Sequence, residues 1–247
     1  MRFSIVTVCY NSVQTIKQTI KSVLVQTCSN IEYIIIDGGS TDGTLDILEK
    51  YKKNISVVVS EPDSGIYDAM NKGIKLATGD VIGILNSDDI YTDKTVLADI
   101  MNVFWQESID ACYGDIVYVD RENTEKIVRQ WKAGEYKESK LQRGWIPPHP
   151  AFFVRKELYQ KYGCFDSRFK IAADYEIMLR FFKKYSIVPY YLKKNIVHMR
   201  EGGHSAKSMM QRTKGWKEIM NAWKVNDLQP PSLLILRRIL SKINQYL

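Results

Sequence analysis

Apolar positions along the first hundred residues switch repeatedly between two periods. Short runs rich in β-branched residues, Phe3–Cys9, Ile31–Ile36, Val57–Val59 and Val81–Leu85, read as strands. Between and after them the apolar spacing is helical, over Val13–Gln26, Thr44–Tyr51, Ile66–Ala77 and Lys94–Trp105. The strand runs are apolar on both faces, as in sheets covered by helices on each side. This alternation predicts an α/β domain with a mostly parallel central sheet.

The pattern then changes. Cys112–Val119 and Ile127–Trp131 read as antiparallel strands around the turn Asp120-Arg121-Glu122-Asn123. The prolines of Trp145-Ile146-Pro147-Pro148-His149-Pro150 forbid a helix and fix a rigid loop. Asp174–Tyr185 has helical spacing, Ile187–Leu192 and Ile196–Met199 read as short strands, and Gly202-Gly203 breaks the chain. From 207 to 247 two amphipathic helices are separated by Pro230-Pro231. The second sets Leu233, Leu234, Leu236, Ile239, Leu240 and Ile243 against Arg237, Arg238 and Lys242. There is no internal repeat or low-complexity tract.

Polar residues gather after the early strands: Tyr10-Asn11-Ser12, Asp37 to Gly43, Glu61 to Gly65, and Asn86-Ser87-Asp88-Asp89. In a parallel sheet these loops open onto one edge, where such sheets hold ligands. The last loop ends a buried run in two carboxylates. One reading is a turn with a helix cap; the other is a site for a divalent cation and the diphosphate it binds.

Composition narrows the classes. The 247 residues are 45% hydrophobic, enough for a full core. A net charge of +7 points to an anionic partner. Of that charge, +6 lies in 207–247, which carries eight Lys/Arg against two acids. The tail therefore either lies on an anionic membrane surface or packs on the domain or a second subunit. Cys9, Cys28, Cys112 and Cys164 have no CxxC spacing and suggest neither zinc nor disulfides. The N-terminus lacks the apolar length of a signal peptide, and no run approaches the roughly 20 residues of a membrane span. The expectation is a cytoplasmic protein, peripheral at most on the inner face of the plasma membrane.

Taken together, several motifs resemble the inverting glycosyltransferases of family 2, which have the GT-A fold, of the bacterial polysaccharide type. They are Ser4–Asn11, Ile36–Thr44, Glu61–Gly73, Asn86–Asp89 and Ala173-Asp174-Tyr175-Glu176. The resemblance implies a glycosyltransferase domain over 1–205, with a nucleotide-sugar half (1–110) and an acceptor half (111–205), followed by a basic helical tail (206–247). It implies a Rossmann-like sheet with helices on both faces, a UDP-sugar donor, Mg2+ or Mn2+, and a lipid-linked or polysaccharide acceptor.

The resemblance also implies roles. Asp37 would accept from the uracil N–H, with Thr7 and Tyr10 lining the base pocket. Asp63, Asn71, Asn86 and Asp88 would contact the donor, Asp88 near the ribose, and Asp89 would bind the metal. Asp68 and Lys72 stand beside them with surface roles equally open, and Asp42 is expected to cap the helix near Thr44. Asp174 would be the general base, which an inverting transfer needs to take the acceptor hydroxyl proton. Trp145, His149 and Glu176 would face the acceptor, and His204 is either a metal ligand or a loop histidine. Three positions depart from the family pattern: Met70 stands where many relatives carry Arg, Ala173 where they carry Glu, and Asn86 at the first position of the family's Asp-x-Asp motif.

Three rivals remain at this level. A nucleotidyltransferase would want a Gly-rich loop after the first strand, where Cys9-Tyr10-Asn11-Ser12 has none. A nucleic-acid-binding module would leave the convergent carboxylates unexplained, because they repel phosphate. A non-catalytic nucleotide-sugar sensor differs only in lacking a working base.

Overall fold

The computed structural model describes residues 1–202 and 209–243. Four strands, β1 (Phe3–Cys9), β2 (Ile31–Asp37), β3 (Val57–Ser60) and β4 (Val81–Ile84), pair in parallel in the order β3-β2-β1-β4. Between and after them run α1 (Ile16–Leu24), α2 (Thr44–Tyr51), α3 (Ile66–Leu76) and α4 (Val96–Gln106). This half follows the sequence pattern closely, because each strand is a continuous apolar run and each helix a separate amphipathic stripe.

The sheet continues beyond β4 into a mixed half. After β5 (Ile90–Tyr91) come β6 (Ala111–Val119), β7 (Ile127–Trp131), β8 (Phe152–Arg155) and β9 (Tyr190–Arg200). Their order is β4-β8-β6-β9-β5, with β7 on β6. β8 is antiparallel to both β4 and β6, and β9 is parallel to β6. The two short strands expected over 187–199 form one strand, β9, whose register against β6 shifts around Asp115. A polar stretch, Lys193-Lys194-Asn195, concealed its continuity.

Alternation along β1 distributes the core over both faces. Val6 and Val8 join Ala69, Met70 and Ile74 of α3 on one side. Phe3, Ile5 and Cys9 join Ile16 and Ile20 of α1 and Leu97 and Ile100 of α4 on the other. The short helices α5 (Glu138–Leu141) and α6 (Lys156–Tyr162) precede α7 (Ala173–Leu179), which continues as a π-helical turn over Arg180–Lys184.

The C-terminal helices α8 (Met209–Val225) and α9 (Leu234–Ile243) join the α3 side. Ile219, Ala222 and Trp223 of α8 and Leu234 of α9 are buried in the same core as Met178 and Phe181. The boundary expected at 205 therefore does not separate two packing units. Charge made the tail look detachable, but its buried stripe is used up on α7. No helix among the described residues is long and apolar enough to cross a membrane.

Candidate active site

Register puts the ends of the parallel strands side by side: Cys9 opposite Asp37, Asp37 opposite Ser60, and Val6 opposite Ile84. The four loops that follow are tied together by hydrogen bonds. Asn11 N–H donates to Ser40 Oγ (2.8 Å), Thr41 N–H to Asn11 Oδ1 (2.9 Å), and the Ser12 and Ser87 hydroxyls meet at 2.8 Å. Asp42 accepts from Val13 N–H (3.0 Å) and from Thr44 N–H (3.0 Å), the first residue of α2, whereas Gly43 holds the N-cap position itself, so the expected cap is replaced by a turn that ties α2 to the loop after β1.

Asp37 is the hub of this lattice. Its carboxylate is fully buried and accepts from Gly39 N–H (3.0 Å), Ser40 N–H (2.9 Å), Ser40 Oγ (2.5 Å), Ser60 Oγ (2.7 Å) and Cys9 Sγ (3.5 Å). Burial alone would raise this carboxyl, but the bonds from Ser40, Ser60 and Cys9 outweigh it and hold it below its ordinary value. Its lone pairs are taken, which corrects the expectation that it reads a base. Thr7 is corrected too: it is buried within β1 and shares a 3.1 Å hydrogen bond with the Tyr33 hydroxyl.

A different carboxylate takes the open position. Gly38 follows Asp37, and a Cβ there would stand 2.5 Å from Asp63 Oδ2 and 3.4 Å from Tyr10 Cδ2. The absence of a side chain at 38 admits the Asp63 carboxylate beside the Tyr10 ring, which is 63% exposed. Asp63 Oδ1 accepts from Gly65 N–H (2.8 Å), at the start of α3. Asp68 accepts from Ser64 N–H (3.0 Å), and Lys72 pairs with Glu61 at 2.7 Å. Met70, at the position of a common cation, is buried in the core. Asn71 is not a donor contact: both ends of its amide are spent on the Phe165 main chain, at 2.8 and 2.9 Å.

At the end of β4, Asn86 Nδ2 donates to Asp89 Oδ2 at 3.0 Å. Thr19 of α1 donates to the carbonyls of Ser87 (2.9 Å) and Asp89 (2.8 Å), fixing this turn. Asp89 is buried, and burial together with the nearby Asp88 pushes its carboxyl well above the ordinary range. Asn86 Oδ1 and Asp89 Oδ1 are buried without a hydrogen-bond partner. Two orphaned oxygens on a carboxyl and an amide suit a hard cation. Among the described residues no three of His, Cys, Asp and Glu gather to hold an ion by themselves, so such an ion would depend on further oxygens from its ligand.

Across the α3 side, Asp174 opens α7. Its Oδ1 accepts from Tyr175 N–H (2.8 Å) and lies 3.4 Å from the Tyr67 hydroxyl, which also donates to the Ile171 carbonyl (2.9 Å). The His149 ring packs edge-on against Phe165. Burial lowers the affinity of His149 for a proton, against the opposing pull of Asp174. Trp145 packs among Tyr113 and Tyr136, with Lys140 Nζ 4.9 Å above its ring. Glu176, expected to face an acceptor, is buried on the far side of α7. It holds Arg180 at 2.9 Å and accepts from Asn226, just past the end of α8, at 2.9 Å.

A model of the glycosyl transferase family 2 domain matches residues 4–163. The chain belongs to this family. It is 28% identical over 214 residues to a PGL/p-HBAD biosynthesis glycosyltransferase of Mycobacterium tuberculosis, covering 85% of this chain and 81% of that one. A second M. tuberculosis glycosyltransferase is 33% identical over 189 residues, covering 72% and 67%. Among solved structures, S. aureus TarS superposes with a TM-score of 0.72 at 20% identity, covering all of this chain and 43% of the other. The mannosyltransferase PcManGT from Pyrobaculum calidifontis, solved with GDP-Man and Mn2+, gives 0.63 at 15%, covering 98% and 75%. The protein is thus a glycosyltransferase of mixed α/β architecture, with helices around a curled sheet as in GT-A enzymes.

Beyond the matched residues 4–163, sequence reading missed Arg200. At the end of β9 it is buried, and its guanidinium donates to the Asp88 carbonyl, to Gln18 and to the Arg121 carbonyl (3.2 Å). The pairing of β5 with β9 brings it there. No local signal marked it, because Arg200 ends a strand that already carries Lys193, Lys194 and His198. It also missed Thr19 and Glu218, because nothing local marks which face of a helix meets a distant loop. His204 lies outside the described residues.

Proposed function

We propose that the chain is a metal-dependent, inverting glycosyltransferase that moves a sugar from a UDP-sugar to a hydroxyl of a lipid-linked or polysaccharide acceptor. The observation that carries this reading is the pair of orphaned oxygens, Asn86 Oδ1 and Asp89 Oδ1, at the strand end beside three convergent loops. S. aureus TarS, solved with UDP-GlcNAc at a TM-score of 0.69 and 18% identity over all of this chain and 78% of the other, supports a uridine donor.

Mg2+ or Mn2+ would be held by Asp89, with Asn86 adding a neutral oxygen, and would offset the charge that develops on the leaving diphosphate. Tyr10 and Asp63 bind the base: the ring offers a face for stacking, and the Asp63 carboxylate accepts the uracil N3–H. Asp88 contacts the ribose, and Arg200 fixes the turn that carries it. Asp174 takes the acceptor hydroxyl proton. The Tyr67 hydroxyl and Tyr175 N–H occupy its Oδ1, which leaves Oδ2 for the acceptor. A single base on the face opposite the leaving group gives inversion. Burial disfavours a positive charge on His149, which would otherwise pair with this base and weaken it. Trp145 walls the acceptor side.

Transfer from UDP-sugars, with GDP-mannose and TDP-sugars as controls, tests the reading in the presence of Mn2+ or Mg2+ and after chelation. Transfer should need the ion, and Asp174→Asn should lower kcat by about 10²–10⁴-fold with UDP affinity retained. Full activity after chelation would overturn the metal assignment, and preference for GDP-mannose would overturn the uridine assignment.

A further inference from the structure

The segment that delivers Asp174 is gripped from the C-terminal helices. Glu218 of α8 accepts three successive main-chain N–H groups: Lys170 at 3.1 Å to both carboxylate oxygens, Ile171 at 2.8 Å and Ala172 at 2.9 Å. Consecutive N–H groups pointing one way form an anion cradle, and here the protein fills the cradle with its own carboxylate. Such charge-assisted bonds are the strong ones. The three residues run directly into α7, whose first turn carries Asp174.

Two other elements hold the same segment. The Tyr67 hydroxyl of α3 bonds the Ile171 carbonyl and approaches Asp174 Oδ1. Lys170 Nζ reaches the Ser64 carbonyl, in the loop beside Asp63, at 3.4 Å. On the α8 side the close approach depends on Gly215, where a Cβ would stand 3.2 Å from Ile171 Cγ2. Gly215 and Glu218 are three apart and share a helix face. Farther along, Trp223 Nε1 donates to the Tyr175 hydroxyl at 3.0 Å and locks α8 along α7.

We infer that Glu218 is a positioning residue for catalysis: it fixes the 170–172 peptides so that Asp174 meets the acceptor hydroxyl. The inference rests on Asp174 being the base. It makes α8 part of the active-site machinery, although α8 lies beyond the matched family domain. A misplacement of about 1 Å can cost on the order of 10²-fold in rate. Glu218→Gln keeps the volume and one acceptor oxygen, but it removes the charge that strengthens the three bonds and sets its amide NH2 where the second oxygen faces Lys170 N–H.

The test uses the full chain with Glu218→Gln, Asp174→Asn and the double variant, scored by thermal melting, UDP affinity, and kcat and KM for transfer. Glu218→Gln should lower kcat by about 10- to 10²-fold, with UDP affinity and donor KM within about twofold of the parent. In the Asp174→Asn background it should lower the residual rate no further, because it acts through that carboxylate. A parental kcat in Glu218→Gln beside an inactive Asp174→Asn overturns the inference alone, as does an undiminished loss in the Asp174→Asn background, which marks a general structural staple. A parental kcat in Asp174→Asn overturns the base assignment first. Should Glu218→Gln fail to fold, Glu218→Asp, which keeps the charge but shortens the reach to the 170–172 N–H groups, should give the same loss of kcat with unchanged UDP affinity; an unchanged kcat there overturns the inference.

Discussion

Asp37 and Asp63 exchange roles between the linear chain and the folded one. The motif around Asp37 attracts attention because an acid ends a buried strand. Its actual work is to collect five donors and hold three loops in register. Its folded pKa lies below its unfolded value of about 3.9. The stabilisation is therefore complete above that value and is lost as pH falls through the lower folded value. Asp37→Asn should be less stable at neutral pH and should lose less further stability between about pH 4 and 2, measured by urea unfolding at each pH. Asp63, by contrast, was one acid among several until Gly38 was seen to make room for it. Asp63→Asn should weaken UDP binding by about tenfold or more and narrow the preference for UDP over CDP in calorimetry, since an amide can donate to cytosine N3. An unchanged UDP-to-CDP ratio would remove Asp63 from base recognition. Thr7 and Asn71 were misread for one reason: a polar side chain in a motif can be consumed by a partner distant in sequence, here Tyr33 and Phe165.

Among the elements, the parallel strands and their helices were legible because local periodicity and burial coincide there. β8 was not, since four residues between a proline loop and a helix leave no period to read. β9 was split by its polar centre. α7 was found, but not its partners. Glu176 sits two residues after Asp174, and only the docking of α8 shows that it faces Arg180 and Asn226. Removing one member of a buried ion pair strands the other. Glu176→Ala should cost about 3–5 kcal/mol in chemical denaturation, while UDP affinity measured below the unfolding transition stays at the parental value.

For the whole molecule, the tail shows how charge and packing divide one helix pair. α8 is spent on the core. α9 buries Leu234 and sets Arg238 over the Tyr175 ring at 5.2 Å, yet leaves Leu236, Ile239 and Leu240 exposed. An exposed apolar stripe beside Arg237 has the chemistry of a face that lies on an anionic bilayer. Leu236→Ser with Leu240→Ser should reduce co-sedimentation with phosphatidylglycerol vesicles by at least about tenfold and leave the melting temperature near the parental value; equal binding would rule out this face. The sequence by itself determined the alternation of strand and helix, the clustering of polar loops at one sheet edge, the resemblance to family 2, and Asp89 and Asp174 as acids worth following. These depend on period and order along the chain, which a linear reading contains. Tertiary structure alone decided which acids are saturated and which are open, that Gly38 admits Asp63, that Arg200 closes on the β4 turn, and that the tail grips the approach to Asp174. Each of these depends on contacts between segments far apart in sequence, and a hydrogen bond is specified by where both partners arrive.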